Sequence, residues 1–299
     1  MGVKLGFTLE QVRSFLAVAD TQSVTRAAET LHLTQGAVTQ QVHNFEKAVA
    51  MRLLERDGRG LRLNEAGRSL ATSCRAALRA FELVGESARA LKSLQVGSLH
   101  VGASPTCATY YLPRLLAGFT RRFQDVTLDV TVEPTAEIND KVRAGVLDCA
   151  LIEGLTDPEL MSVVLVWDEL VLVVHPDHPL AQLPRTSPAE LASYRYLGRG
   201  PAWAAENTVR DMVGYAYDQS PVLNLGHPEY VRAAALAGLG YAALPLLAVK
   251  GDLEVGLLKR LPVASIRRAI SATRRSSAGG PTLEEFWYFL QLGIKGKAP

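Results

Sequence analysis

The sequence predicts an α/β protein in three parts: a small helical module closed by a β-hairpin, one long helix, and a two-lobed α/β domain. Three observations predict this. Apolar residues recur at helical spacing to about residue 50, then alternate about a glycine-rich tip near residue 58. No proline occurs between Asn64 and Leu94, where apolar and small residues repeat every three or four positions. From Gly97 onward, β-rich runs alternate with helical ones, the grammar of a sheet with helices on both faces.

Bulk properties narrow the class. The 299 residues, 48% hydrophobic and 21% charged, suit about two folded domains with ample core. Apolar runs such as Leu170–Val174 and Tyr241–Val249 are far shorter than the ~18–20 residues of a membrane span. The stretch Phe7–Asp20 lacks an export pattern, so the cytoplasm is the expected location and no membrane is an expected partner. Cys74, Cys107 and Cys149 are too few and too scattered for a disulfide framework or a zinc site. The net charge of +2 is uneven: residues 1–94 hold 13 Lys and Arg against 9 Asp and Glu, and the remainder 19 against 21. A basic first part fits a nucleic-acid partner at that end.

In the first module, Thr8 and Gln11 form a capping box, and Val12, Phe15, Leu16 and Ala19 give the first helix a buried stripe. Ser23 caps a short second helix, Val24–Leu31. After the turn His32-Leu33-Thr34, Thr34 caps a third running to about Ala50. Two helices joined by about three residues match a helix-turn-helix. Gln35, Gly36, Thr39, Gln40 and His43 then form the exposed front of the third helix, with amides able to read a base edge. Spacing alone fits a three-helix bundle with a solvated face equally well. Leu53–Leu63 reads as a hairpin carrying Arg56, Arg59 and Arg62, cations suited to phosphate or the minor groove.

The run Ser23–Val42 closely resembles the helix-turn-helix of LysR-type transcriptional regulators, and the resemblance extends over essentially the whole chain. Leu53-Leu-Glu-Arg56 resembles that family's wing, and Leu63-Asn-Glu-Ala-Gly67 the start of its linker helix. Gly36 stands where the family usually has proline, and Val24 where it prefers Phe. The resemblance implies a winged helix-turn-helix over 1–66, a dimerising linker helix over 67–95, and an effector-binding domain over 96–299. Its two lobes would span about 96–166 with 267–299, and 167–266, in a fold similar to periplasmic binding proteins of type 2. Gln35, Thr39 and Gln40 are the expected base readers. Thr25, Arg26, His43, Arg56, Arg59 and Arg62 are the expected phosphate or minor-groove contacts, and Thr34 and Gly36 complete the expected DNA-binding set.

Leu70, Cys74, Ala77, Phe81, Val84, Ala88 and Leu91 step by four and three, a heptad seam about 45 Å long at 1.5 Å per residue. It implies a two-stranded coiled coil; the alternative is one amphipathic helix packed on its own module. Beyond it, strands are expected at Ser98–Ala103, Val126–Val132, Leu147–Ile152, Leu165–His175, Tyr196–Leu197, Val222–Leu225, Tyr241–Leu244 and Arg267–Thr273. Helices are expected at Tyr111–Phe123, Glu137–Gly145, Pro188–Ser193, Trp203–Tyr217, Glu229–Ala237 and Leu283–Leu292.

In such sheets ligands lie beyond the carboxyl ends of strands. The candidate effector contacts are Ser104, Thr106, Thr135, Glu153, Arg199, Pro201 and His227, although these segments also read as plain loop caps. Glu153 favours a cationic group and Arg199 a carboxylate, so ligand charge stays open at this point. Gly238-x-Gly240-x-x-Ala243 runs from helix to strand, the reverse of a dinucleotide fold, and His175-Pro-Asp-His178-Pro reads as a turn. No catalytic motif or cofactor site is expected. The family reading is a DNA-binding regulator controlled by a small-molecule effector in the cleft, whose binding closes the lobes and re-angles the DNA-binding modules. It implies double-stranded, roughly palindromic DNA, a homodimer through the linker helix, a homotetramer, and RNA polymerase as partners. The alternatives are a thiol-redox sensor of the same fold, using Cys107, and a solute-binding protein.

Overall fold

The computed structural model describes residues 6–57, 60–90, 97–154, 156–201, 203–277 and 279–294. The first compact unit holds α1 (Leu9–Thr21), α2 (Val24–Leu31), α3 (Gln35–Ala48), the hairpin β1 (Leu54–Asp57) and β2 (Gly60–Leu63), and most of α4 (Glu65–Ala90). Thr8 closes the expected capping box, and Ser23 and Thr34 accept from Arg26 N–H and Ala37 N–H to start α2 and α3. Phe15, Val18, Ala27, Ala28, Val38 and Phe45 are buried and weld the three helices together. Asn64 fastens the hairpin to α4: its amide donates to Arg52 O (2.8 Å) and its carbonyl accepts from Gly67 N–H (2.8 Å). A Cβ on Gly67 would stand 2.2 Å from Leu53 O, so no larger residue fits that junction.

The heptad seam divides. Cys74 is buried with Ala71 in the core made by Val12, Phe15, Leu16 and Phe45, and Leu70 packs beside them. The first turns of α4 therefore behave as the packed-helix alternative. Phe81 (62% exposed) and Val84 (68%) stand in the open. The side chain of Ala88, and Leu91, fall outside the described residues.

In the second unit the chain runs β3 (Gly97–Ala103), a π-helical turn at Cys107–Tyr111, α5 (Leu112–Arg122), β4 (Val126–Val132), α6 (Thr135–Arg143) and β5 (Cys149–Glu153). The long β6 (Met161–Val174) follows, then a 3-10 turn at Pro179–Gln182, α7 (Pro188–Ala192), β7 (Tyr196–Gly198), α8 (Ala204–Val213), α9 (Ala216–Gln219) and β8 (Val222–Asn224). The chain ends through α10 (Pro228–Leu236), β9 (Tyr241–Pro245), α11 (Leu246–Glu254), β10 (Lys259–Arg260), β11 (Ile266–Arg274) and α12 (Pro281–Ile294). The strands lie in the order β4-β3-β5-β11-β6-β9-β7-β8, with β10 on β6. β3 is parallel to β4 and β5, and β7 is parallel to β8 and β9.

The two halves of this sheet are joined through the antiparallel pair β6 and β11. β11 pairs with β5 on one side, and β6 pairs with β9 on the other. Their register shifts between Ile270 and Ser271. One lobe is cored by Leu99, Phe119, Leu151, Phe286 and Leu290, and the other by Tyr196, Val209 and Tyr241 on one face and Val231, Ala235 and Val249 on the other. One expectation needs correction. The helix expected over Trp203–Tyr217 is broken at Gly214 (φ 60°), a left-handed residue that ends α8. The strand expected at Tyr241–Leu244 is β9, and the apolar run continues past Pro245 into α11, a helix the sequence reading did not assign.

Candidate nucleic-acid interface and ligand cleft

Gln35, Gly36, Thr39, Gln40 and His43 share one exposed face of α3. A Cβ on Gly36 would meet nothing within 4 Å, so the front of the helix is bare there. Thr39 Oγ1 donates to Gln35 O (2.8 Å) and Gln40 Nε2 to Asn44 Oδ1 (2.9 Å), which set these side chains before any duplex arrives. Thr25, Arg26 and Thr34 are exposed at the starts of α2 and α3. Thr34 Oγ1 is the α3 cap acceptor, and its own proton stays available to a phosphate.

The hairpin is held against α3 by Glu46, which sequence reasoning passed over. Its carboxylate is buried and accepts from Leu53 N–H (2.7 Å) and Leu54 N–H (3.3 Å). Arg56 lines one groove with Thr39 and His43, between α3 and the hairpin. Alternate strand residues face opposite ways. Arg56 therefore shares a face with its partner Leu61, and Arg62 points away with Glu55, its ion-pair partner at 2.9 Å. Arg59 lies outside the described residues. Arg56 and Arg62 thus lie on opposite faces of the hairpin.

The effector candidates separate in the same manner. Thr106, Glu153 and Arg199 are buried and joined: Arg199 Nη1 donates to Thr106 Oγ1 (3.1 Å) and Nη2 to Glu153 Oε1 (2.9 Å). The cues that seemed to oppose each other answer each other. Two residues missed in the sequence complete the network. Arg268 Nη1 lies 2.7 Å from Glu153 Oε2, off-line for a good hydrogen bond, and Arg268 grips Asp168 at 2.9 and 3.0 Å. Asp168 interrupts the apolar run of β6, which was an available signal, whereas Arg268 is one of three arginines on a mixed strand and does not stand out. Burial works to raise the Glu153 carboxyl, but Arg268 and Arg199 outweigh it and hold it below the ordinary glutamate range. Tyr110 and Glu229 make a second bond from lobe to lobe.

Ser104 is buried and its hydroxyl accepts from Cys107 N–H (3.4 Å), while Thr135 Oγ1 is buried with no partner. His227 spends Nδ1 as the cap acceptor for Glu229 N–H (3.3 Å), and Pro201 is solvent-exposed. Neither joins the buried network. The cavity between the lobes, lined by Thr106, Arg199, Glu206, Pro228 and Arg268 among others, holds about 10 Å³, room for one water. Ion pairs bridge the lobes across this cavity, so no open cleft stands between them in this structure.

Cys107 is fully buried and its thiol is pushed up to about 12, first by burial and then by Glu153. Burial raises Cys149 as well. Both shifts run opposite to those of an activated thiolate. His175 and His178 serve as turn caps, each accepting from a nearby backbone N–H, and no metal-binding cluster occurs among the described residues. No described helix is long and apolar enough to cross a membrane.

Known proteins match both parts. Residues 9–68 match the bacterial regulatory helix-turn-helix of the LysR family, and residues 92–293 match the LysR substrate binding domain. A probable RuBisCO transcriptional regulator of Synechocystis is 33% identical, covering 89% of this chain and 80% of its own. Another from Cyanophora paradoxa is 31% identical, covering 90% and 86%. Among solved structures, CbnR in complex with its target DNA superposes with TM-score 0.70 at 21% identity, over 96% of this chain and 100% of that one. Full-length OxyR from Pseudomonas aeruginosa gives 0.70 at 23%, over 97% and 95%. At those identities the structures establish the fold alone. With a DNA-binding helix-turn-helix and an effector-binding domain matched in order along one chain, this protein belongs to the LysR family of bacterial transcriptional regulators.

Proposed function

We propose that the chain works in the cytoplasm as a dimer through α4, assembled further into a tetramer, that presents two α3 helices to a roughly palindromic operator and acts on RNA polymerase. A small molecule entering between the lobes sets that grip, and the chain itself catalyses nothing. The observation that carries this reading is the uncovered polar front of α3 with Arg56 beside it in one groove. Gln35 and Gln40 reach base edges, whereas Arg56, Arg26 and Thr34 neutralise or bind phosphates. Exposed Phe81 and Val84 supply an apolar stripe for the second copy. The buried thiols favour ligand control over thiol oxidation.

The test is a gel shift of the full-length protein on the DNA upstream of its own and neighbouring genes. RuBisCO promoters join the panel because the relatives from Synechocystis and Cyanophora bear that name. Q35A should alter the preference among sequences, and R56A should weaken all of them alike. Identical losses on every sequence for both variants would remove the division of roles.

A further inference from the structure

Resting on the effector reading above, we infer that Arg199 is the anion seat of the cleft. The Glu153 carboxylate now fills it, and the ligand class it selects carries an oxyanion, carboxylate or phosphate, that takes Glu153's place. Arg199 belongs to the second lobe, at the end of β7, yet the two side chains its guanidinium donates to, Thr106 and Glu153, belong to the first. Its backbone is anchored at home: its N–H donates to Glu206 Oε1 (2.6 Å), and Tyr196 and Tyr217 hydroxyls hold the other Glu206 oxygen at 3.0 Å each. Its guanidinium carbon also lies 5.6 Å from the Trp203 ring centre. When the lobes part, Arg199 therefore moves away with the second lobe and loses its carboxylate.

Glu153 loses less. It keeps Arg268, which sits on the neighbouring strand β11 and is itself secured by Asp168. The Arg199 guanidinium donates to Thr106 and Glu153 of the first lobe, so parting the lobes strips it of both side-chain acceptors, while the Glu206 carboxylate stays behind on its backbone N–H and on the two tyrosines. A guanidinium so released is matched by a replacement anion with fork geometry, which carboxylates and phosphates supply. The Glu153 left behind repels a second negative group. The same ligand therefore also offers it a donor, a hydroxyl or an ammonium. Thr106, released with it, adds a hydroxyl to the seat.

The test uses the full-length chain and E153Q, which keeps the side-chain shape and removes the competing charge. Each is titrated with inorganic phosphate and, separately, with succinate, and binding is read from the melting temperature and from Trp fluorescence. E153Q should bind at least one of the two about tenfold or more tighter than the wild type, and E153Q/R199M should lose that gain. The better-bound probe names the source of the oxyanion. Should E153Q fail to fold, E153D replaces it, since its shorter arm cannot hold both guanidinium groups; the same order is expected. Equal affinity of wild type and variant, or binding retained without Arg199, overturns the anion seat. If DNA binding nevertheless responds to an uncharged metabolite, the effector reading survives that result. If no metabolite alters DNA binding while phosphate still seats on Arg199, the effector reading is the one that fails.

Discussion

Arg56 makes no ion pair among the described residues and lines the groove with Thr39 and His43. R56A removes one phosphate neutraliser per protomer. Each duplex phosphate that goes unneutralised reduces the slope of log K against log salt by about 0.9, so a dimer loses about 1.8. Across a fourfold rise in salt, from about 50 to about 200 mM, the variant should weaken roughly twelvefold less than its parent. Arg62 supplies the contrast. It is paired with Glu55 at 2.9 Å and must exchange that carboxylate for a phosphate, so R62A should change the slope less. Fluorescence anisotropy on an operator duplex and a scrambled one, over a series of KCl concentrations, measures both. An unchanged R56A slope beside a flattened R62A slope would refute the assignment of faces on the hairpin.

E46A strips the acceptor from Leu53 and Leu54 N–H and should cost about 2–4 kcal/mol, read by urea denaturation; a loss under about 0.5 kcal/mol would mean the hairpin is seated otherwise. With its thiol at about 12, Cys107 is ionised to about one part in 10⁵ at neutral pH, so iodoacetamide should label it only after unfolding. Rapid labelling of the native protein counts against the buried site. Glu153 is held below its ordinary value near 4.5, so its contribution to stability is present above that pH and lost as pH falls through the folded value. The acid limb of the melting curve should shrink in E153Q; an identical limb in both proteins contradicts it. F81E places a charge on the open stripe of α4 and should shift sedimentation toward monomer with no loss of helix content.

Much of the fold was legible because local chemistry and tertiary structure agree. The Thr8, Ser23 and Thr34 caps open the three helices where the sequence places them, and β4 spans the stretch that alternation assigns. Disagreements arise where a single residue overrides a period. Gly214 interrupts a helical pattern that continues on both sides of it. The heptad on α4 holds to the same step throughout, yet its partner changes from the module's own core at Cys74 to open surface at Phe81. Periodicity records which face is apolar and not what covers it. The cleft was half legible: Glu153 and Arg199 stood out as charges at strand ends. Their pairing across 46 residues, and the arrival of Arg268 and Asp168 from the crossing strands, are products of topology.

Strands β6 and β11 also bear on how the second unit comes apart. Every residue of β11 lies opposite a residue of β6 in the ladder, and β6 pairs on its other edge with β9 while β11 pairs with β5. Melting either half strips main-chain partners from the other, so calorimetry should record a single cooperative transition for the pair. A fragment cut to residues 167–266 would strip β11 from Trp167–Glu169 of β6 and leave the buried Asp168 without Arg268, which makes excision of one half the wrong route to a soluble sensor.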